Sequence, residues 1–83
     1  MHYVYVIKSI SCDFTYIGQT EDLKSRFSQH NAGKEISTKA YVPFKLVYYE
    51  AYANKKDALI RERKLKQFGS SYGHLRKRIK NSL

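Results

Sequence analysis

Tyr3-Val4-Tyr5-Val6-Ile7, followed after a polar gap by Thr15-Tyr16-Ile17-Gly18-Gln19-Thr20, is the stretch that decides the architecture. Both runs are rich in β-branched and aromatic residues, which suit a pleated, partly buried backbone. Ser, Cys and Asp lie between them in residues 8–14 and read as a loop, so a β-hairpin is the economical connection. The first run is apolar almost throughout, the pattern of a strand covered on both faces, which predicts a central strand. Gly18 breaks the second run. A glycine inside a strand marks a close backbone approach, a bulge or a simple kink.

Downstream of the hairpin, Thr20 offers a capping hydroxyl, and Glu21 and Asp22 place acids where a helix dipole favours them. Leu23, Phe27 and His30 recur at helical spacing, and Asn31-Ala32-Gly33 supplies a stop, predicting a helix over residues 21–31. That helix carries Arg26 and His30 one turn apart. Residues 34–43 show no period, and Pro43 disfavours helix at Val42, so the segment reads as an exposed basic loop with Lys34, Lys39 and the nearby Lys45. Residues 46–52 form a third predicted strand. Asn54 with Asp57 resembles a capping box opening a second helix to about residue 68, stopped by Gly69. Ser70-Ser71 then caps a last helix carrying Leu75, Ile79 and Leu83. The order is β-β-α-β-α-α, an α+β class, with no repeat, low-complexity tract or linker.

A chain of 83 residues fits one domain spanning 1–83, and a domain near this size buries only about 60% of the surface its unfolded chain exposes. Hydrophobic residues at 42% and aromatics at 14% argue against disorder, and eight tyrosines and four phenylalanines supply much of the packing. Sixteen basic against seven acidic residues give a net charge of +9, which points to polyanionic partners. A generally basic surface explains that charge as well. The single cysteine, Cys12, has no partner for an intrachain disulfide and suits a reducing cytoplasm. Lys8 and Ser9 interrupt the first apolar run, and no stretch approaches the roughly 20 apolar residues of a membrane span.

On the second helix, Ala58, Glu62 and Leu65 share a face, so a carboxylate interrupts an apolar stripe. It calls for protonation, a metal, or an ion pair with Arg26 or a lysine. Taken singly, the other polar groups have ordinary explanations: Tyr5 and Tyr16 as core aromatics, Arg26 as a solvated helix residue, His30 as a polar group near a helix end. His2 and His74 lack ligand spacing.

Tyr3-Val4-Tyr5, Tyr16-Ile17-Gly18, Arg26, His30 and Glu62, in that order, resemble the GIY-YIG nuclease family across essentially the whole chain. The short length and the Val-Tyr-Tyr-Glu third strand look most like small stand-alone members named after the endonuclease domain of the excision-repair incision subunit, a DNA-repair protein. The resemblance implies a three-stranded antiparallel sheet flanked by helices, and phosphodiester cleavage dependent on Mg²⁺ or Mn²⁺. Tyr5 and Tyr16 match the tripeptide tyrosines, Arg26 the motif arginine, His30 the polar residue one turn later, and Glu62 the metal-binding glutamate. Gly18 is the glycine of the second tripeptide, and Asn81 resembles an asparagine near the domain end. Tyr3 stands where the first tripeptide has glycine, and Gln19 where repair-type members carry a lysine, which removes one candidate cation.

On this reading Glu62 holds the metal, Tyr5 orients or deprotonates water, Tyr16 or His30 relays the proton, and Arg26 braces the phosphate. A free tyrosine titrates near pH 10, so the base role needs the metal or Arg26 to favour phenolate. Lys24, Lys34, Lys39, Arg76 and Arg78 contact backbone phosphates, with DNA ahead of RNA as substrate, a structure-dependent or weakly sequence-specific cut, and room for a targeting protein partner that supplies the target. The rivals are a non-catalytic nucleic-acid-binding module on the same scaffold and, further off, a tyrosine-rich protein adaptor.

Overall fold

The computed structural model describes residues 1–83. β1 (His2–Ser9) is the middle strand of a three-stranded sheet, between β2 (Thr15–Thr20) and β3 (Phe44–Tyr52), and both pairings are antiparallel. Three helices complete the chain: α1 (Leu23–Asn31), α2 (Lys55–Lys66) and α3 (Ser70–Arg78), giving the order β-β-α-β-α-α expected from the sequence.

Alternation along β1 divides the interior in two. Val4 and Val6 join Ile17, Ala58, Leu65 and Leu75 under α2 and α3, while Tyr5 and Ile7 join Phe44 on the α1 side, flanked by Phe14, Leu23 and Phe27. Burial on both faces explains why β1 reads as nearly continuous apolar sequence. The β1–β3 register slips between Val6 and Ile7, pairing Val6 with Tyr48 and Ile7 with Leu46. The extra residue on β3 lets Val47 and Tyr48 both pack against the α2–α3 cluster.

Several boundaries differ from the sequence reading. β1 extends to His2 and Ser9, and β3 begins at Phe44, whose N–H donates to Asn31 Oδ1 at 2.7 Å. The cap of α1 is Asp22, not Thr20: its carboxylate accepts from Ser25 N–H at 3.1 Å, while Thr20 Oγ1 accepts from Asp22 N–H at 3.1 Å in a preceding turn. Glu21 therefore precedes the helix. Its expected stop holds, with Gly33 at φ +73° just past the end. Asn54 caps α2 as expected, accepting from Lys56 N–H at 2.8 Å. That helix closes at Lys66, because Phe68 takes the left-handed conformation at φ 53° expected of Gly69. Gly69 caps α3 in place of Ser70 and Ser71, and Leu83 lies beyond the last turn.

The largest departure is residues 34–43, read as an exposed basic loop. Lys34 and Lys39 are exposed, but the segment is pinned inward, with a 3-10 turn at Lys39–Tyr41 and Thr38 fully buried. Tyr41 stacks on Phe14 at 3.9 Å between centroids, and its carbonyl accepts from Ser9 Oγ at 2.6 Å. These are tertiary contacts between residues far apart in sequence, which no local period encodes. No helix is long and apolar enough to cross a membrane.

Candidate active site

Tyr5 projects from the middle of β1 toward α1 and is 1% exposed. It is in register with Gly18 of β2, and a Cβ at Gly18 would run into the Tyr5 hydroxyl and ring. The glycine is therefore a seat for the tyrosine ring, the close approach among the three sequence alternatives. Tyr5 Oη lies 2.8 Å from His30 Nε2, and His30 Nδ1 lies 2.8 Å from Thr38 Oγ1. Thr38 donates its own hydrogen to the Glu35 carbonyl at 3.5 Å.

The longer contact, to the Glu35 carbonyl, is the one that bears on the direction of the chain. A threonine hydroxyl that donates to that carbonyl accepts from the imidazole, which assigns the proton to Nδ1 and makes Nε2 the acceptor of the Tyr5 phenol. Tyr5, His30 and Thr38 thus form a buried, directed relay from the sheet to the 34–43 segment. Burial, reinforced by repulsion from Arg26, holds the His30 pKa below the usual histidine range, so the ring is neutral near pH 7. Burial pushes the Tyr5 phenol up to about 12, although the Arg26 guanidinium pulls the other way.

Around this line stand the other residues singled out from sequence. Tyr16 lies 6.3 Å from Tyr5 and 5.0 Å from His30 between ring centroids. Arg26 donates from one terminal nitrogen to Glu35 at 2.7 Å and from the other to Gln29 at 3.3 Å. Hydrogen bonding to Arg26 holds the Glu35 carboxyl below its usual range. Glu62 sits on α2, which packs across β1 and β2, and its carboxylate meets Lys66 at 3.2 Å. Of the two cation partners open to it, a lysine is the one found. Lys66 also lies 5.5 Å from the Tyr16 ring centre, which brings the Glu62–Lys66 pair to the edge of the tyrosine cluster. Glu35, Thr38 and Lys66 were missed by sequence reasoning. Only Lys66 carried a local signal, its i, i+4 spacing from Glu62.

No three His, Cys, Asp or Glu side chains converge to form a metal cage. A hard dication held by one carboxylate, water and substrate phosphate oxygens asks less of the protein. Glu62 suits that role, being 19% exposed and beside the tyrosines, with Lys66 as a cation that must yield the carboxylate. Gln19 is paired with Val4 and lies on the α2–α3 side of the sheet, where its amide nitrogen is buried without a partner.

The cations assigned to phosphate contact do not form one surface. Lys24 lines a cleft of about 520 Å³ between α1 and β3, together with Glu21 and Asp22. Arg76 faces the hairpin end near Lys8 and Asp13, whereas Arg78 faces Arg61 and His74. Asn81 is exposed and lies beyond α3.

The GIY-YIG catalytic domain matches residues 1–73. A UPF0213 protein of Staphylococcus haemolyticus is 40% identical over 68 residues, covering 81% of this chain and 82% of the relative. A UPF0213 protein of Haloquadratum walsbyi is 35% identical over 68 residues, covering 81% of this chain and 75% of its own length. No solved structure matches. The name UPF0213 states no activity, and the likeness to the excision-repair subunit finds no support in these relatives. The match across most of the chain and the identity of the relatives agree with the strand register and tyrosine placement: the chain belongs to the GIY-YIG family.

Proposed function

We propose that this protein is a metal-dependent endonuclease that hydrolyses phosphodiester bonds in nucleic acid, DNA ahead of RNA, choosing targets by structure more than by sequence. The observation that carries the reading is the buried relay Tyr5–His30–Thr38, with a neutral imidazole at its centre. A fold needs no such relay merely to bind a polyanion.

Hydrolysis requires a water stripped of a proton, charge neutralisation at the phosphoryl oxygens, and stabilisation of the departing oxygen. Tyr5 takes the proton of the attacking water as its own passes to His30 Nε2, and Thr38 keeps the ring oriented for that transfer. Concerted transfer is required, since a phenol raised to about 12 does not ionise ahead of the reaction. Arg26, anchored by Glu35 and Gln29, presents positive charge beside Tyr5 where the phosphate would lie. Glu62 would hold Mg²⁺ or Mn²⁺, which when bound supplies Lewis-acid charge at the phosphate and lowers the pKa of water.

A non-catalytic binding module is favoured by one observation: Arg26 and Glu62 are both engaged in ion pairs, with Glu35 and Lys66. The two readings part in a cleavage assay on single-stranded, duplex, nicked, flapped and branched DNA with matched RNA, in Mg²⁺ or Mn²⁺ and in EDTA. The nuclease reading expects metal-dependent products that vanish in Glu62→Ala. Salt-sensitive binding without products on any substrate supports the module instead.

A further inference from the structure

Helices α2 and α3 enclose a cleft of about 340 Å³ on the sheet face opposite Tyr5, lined by Arg61, Ser71, His74, Leu75 and Arg78. Arg61 is built into it. Its Nε donates to Glu50 Oε1 at 2.7 Å, and Glu50 also accepts from the hydroxyls of Tyr48 and Tyr52, its neighbours on the same strand face. The side chains of Arg61 and Glu50 are only 26% and 17% exposed, so the guanidinium is fixed by a supported carboxylate and does not wander in solvent. Burial opposes ionisation of Glu50, but the bonds from Tyr48, Tyr52 and Arg61 outweigh it and hold the carboxyl below its usual range.

Two consequences follow for charge and geometry. Only Nε of Arg61 hydrogen-bonds to Glu50, and its terminal nitrogens have no hydrogen-bond partner; the side chain lies between this cleft and a neighbouring one lined by Asp57 and Lys64. Glu50 neutralises Arg61, whereas none of the five ion pairs in the chain includes Arg78 or His74. The cleft thus carries one uncompensated positive charge with a preset guanidinium edge, the complement of a singly charged group with paired oxygens.

The geometry points to a phosphate-binding subsite in this cleft, separate from the Tyr5 centre: Arg61 grips two phosphate oxygens through its free edge, and Arg78 closes on the group from α3. Ser71 and His74 supply further donors at the rim. A backbone phosphate of nucleic acid and a free phosphate compound present the same oxygens. The single uncompensated charge favours the diester, and naming nucleic acid as its source rests on the binding half of the proposed function but not on cleavage.

The test follows the Arg61 and Arg78 side-chain N–H signals and the His74 ring by NMR in the full chain. It titrates inorganic phosphate, a short DNA duplex, and chloride at matched ionic strength, for wild type and Arg78→Gln. Arg78 is exposed at the end of α3, so Arg78→Gln leaves the core intact; Arg78→Lys keeps the charge without the fork. Expected are saturable shifts at Arg61 and His74 that chloride does not reproduce, weakened about fivefold or more in Arg78→Gln and partly restored in Arg78→Lys, as loss of a charge-assisted bond implies. DNA shifts displaced by phosphate identify the backbone as the source; phosphate shifts without DNA shifts identify a free phosphate compound. Shifts matched by chloride, or equal in wild type and Arg78→Gln, overturn the subsite. Failure to cut DNA with these shifts intact would count against the nuclease reading alone.

Discussion

Replacing Thr38 by valine removes one hydroxyl while nearly keeping the shape of the side chain, and it tests the relay at its anchor. Thr38 and His30 are both fully buried, and Thr38 Oγ1 is the partner of His30 Nδ1 at 2.8 Å. The variant takes away the acceptor of a buried N–H, at a penalty of about 1–3 kcal/mol. That corresponds to a melting temperature lower by roughly 5–20 °C for a domain of this size. The sharper readout is the imidazole itself. In the wild type, ring ¹⁵N shifts should report the proton on Nδ1. In Thr38→Val that tautomer loses its acceptor, and the population should move toward Nε2–H, turning Tyr5 from donor to acceptor. Urea unfolding and ring ¹⁵N spectra on the same samples measure both effects. Stability within about 0.5 kcal/mol together with an unchanged tautomer would refute the directed relay.

Gly18→Ala should drive its new methyl into the Tyr5 ring, which is 1% exposed and hemmed in by Tyr16 and His30; an overpacking loss of about 1–3 kcal/mol is expected in urea unfolding, with disturbed His30 ring signals. Acid should also destabilise the fold through His30. Its folded pKa lies below the ordinary value of 6.5, so the unfolded chain binds the proton first; this contribution is complete above pH 6.5 and is lost as pH falls through the folded value. A His30→Gln variant should show a flatter stability profile in that window. At the alkaline end, Tyr5 is raised from 10.0 to about 12, so its contribution is complete below pH 10 and is lost as pH rises through about 12; phenolate absorbance of wild type against Tyr5→Phe reads that late titration directly.

The hairpin was legible because both its strands carry the composition of a buried sheet, and the buried faces of β1 follow from strict alternation. Tyr5, Tyr16, Arg26 and His30 come together for similar reasons: two strand positions on one face, and two helix positions one turn apart on the element that follows. Thr38 and Glu35 were invisible. They lie in an aperiodic segment held by contacts to His30, Arg26, Phe14 and Ser9, and such contacts leave no pattern in neighbouring residues. Tyr48, Glu50 and Tyr52 were readable as three same-face positions on one strand, but Arg61, which completes their network, comes from another element. The turn at Phe68 misled for a different reason: glycine is the usual left-handed residue, yet here Phe68 takes that conformation while its ring packs 4.7 Å from Tyr72.

The central claim is that Tyr5 performs chemistry, and the most direct measurement compares Tyr5→Phe with wild type on one cleavable substrate, reading single-turnover cleavage and substrate Kd side by side. The phenylalanine keeps the ring on Gly18 and removes only the hydroxyl bonded to His30. The account predicts cleavage slower by about 10²–10⁴-fold, the range for a lost acid–base group, with Kd unchanged. Cleavage at the wild-type rate in Tyr5→Phe would contradict it.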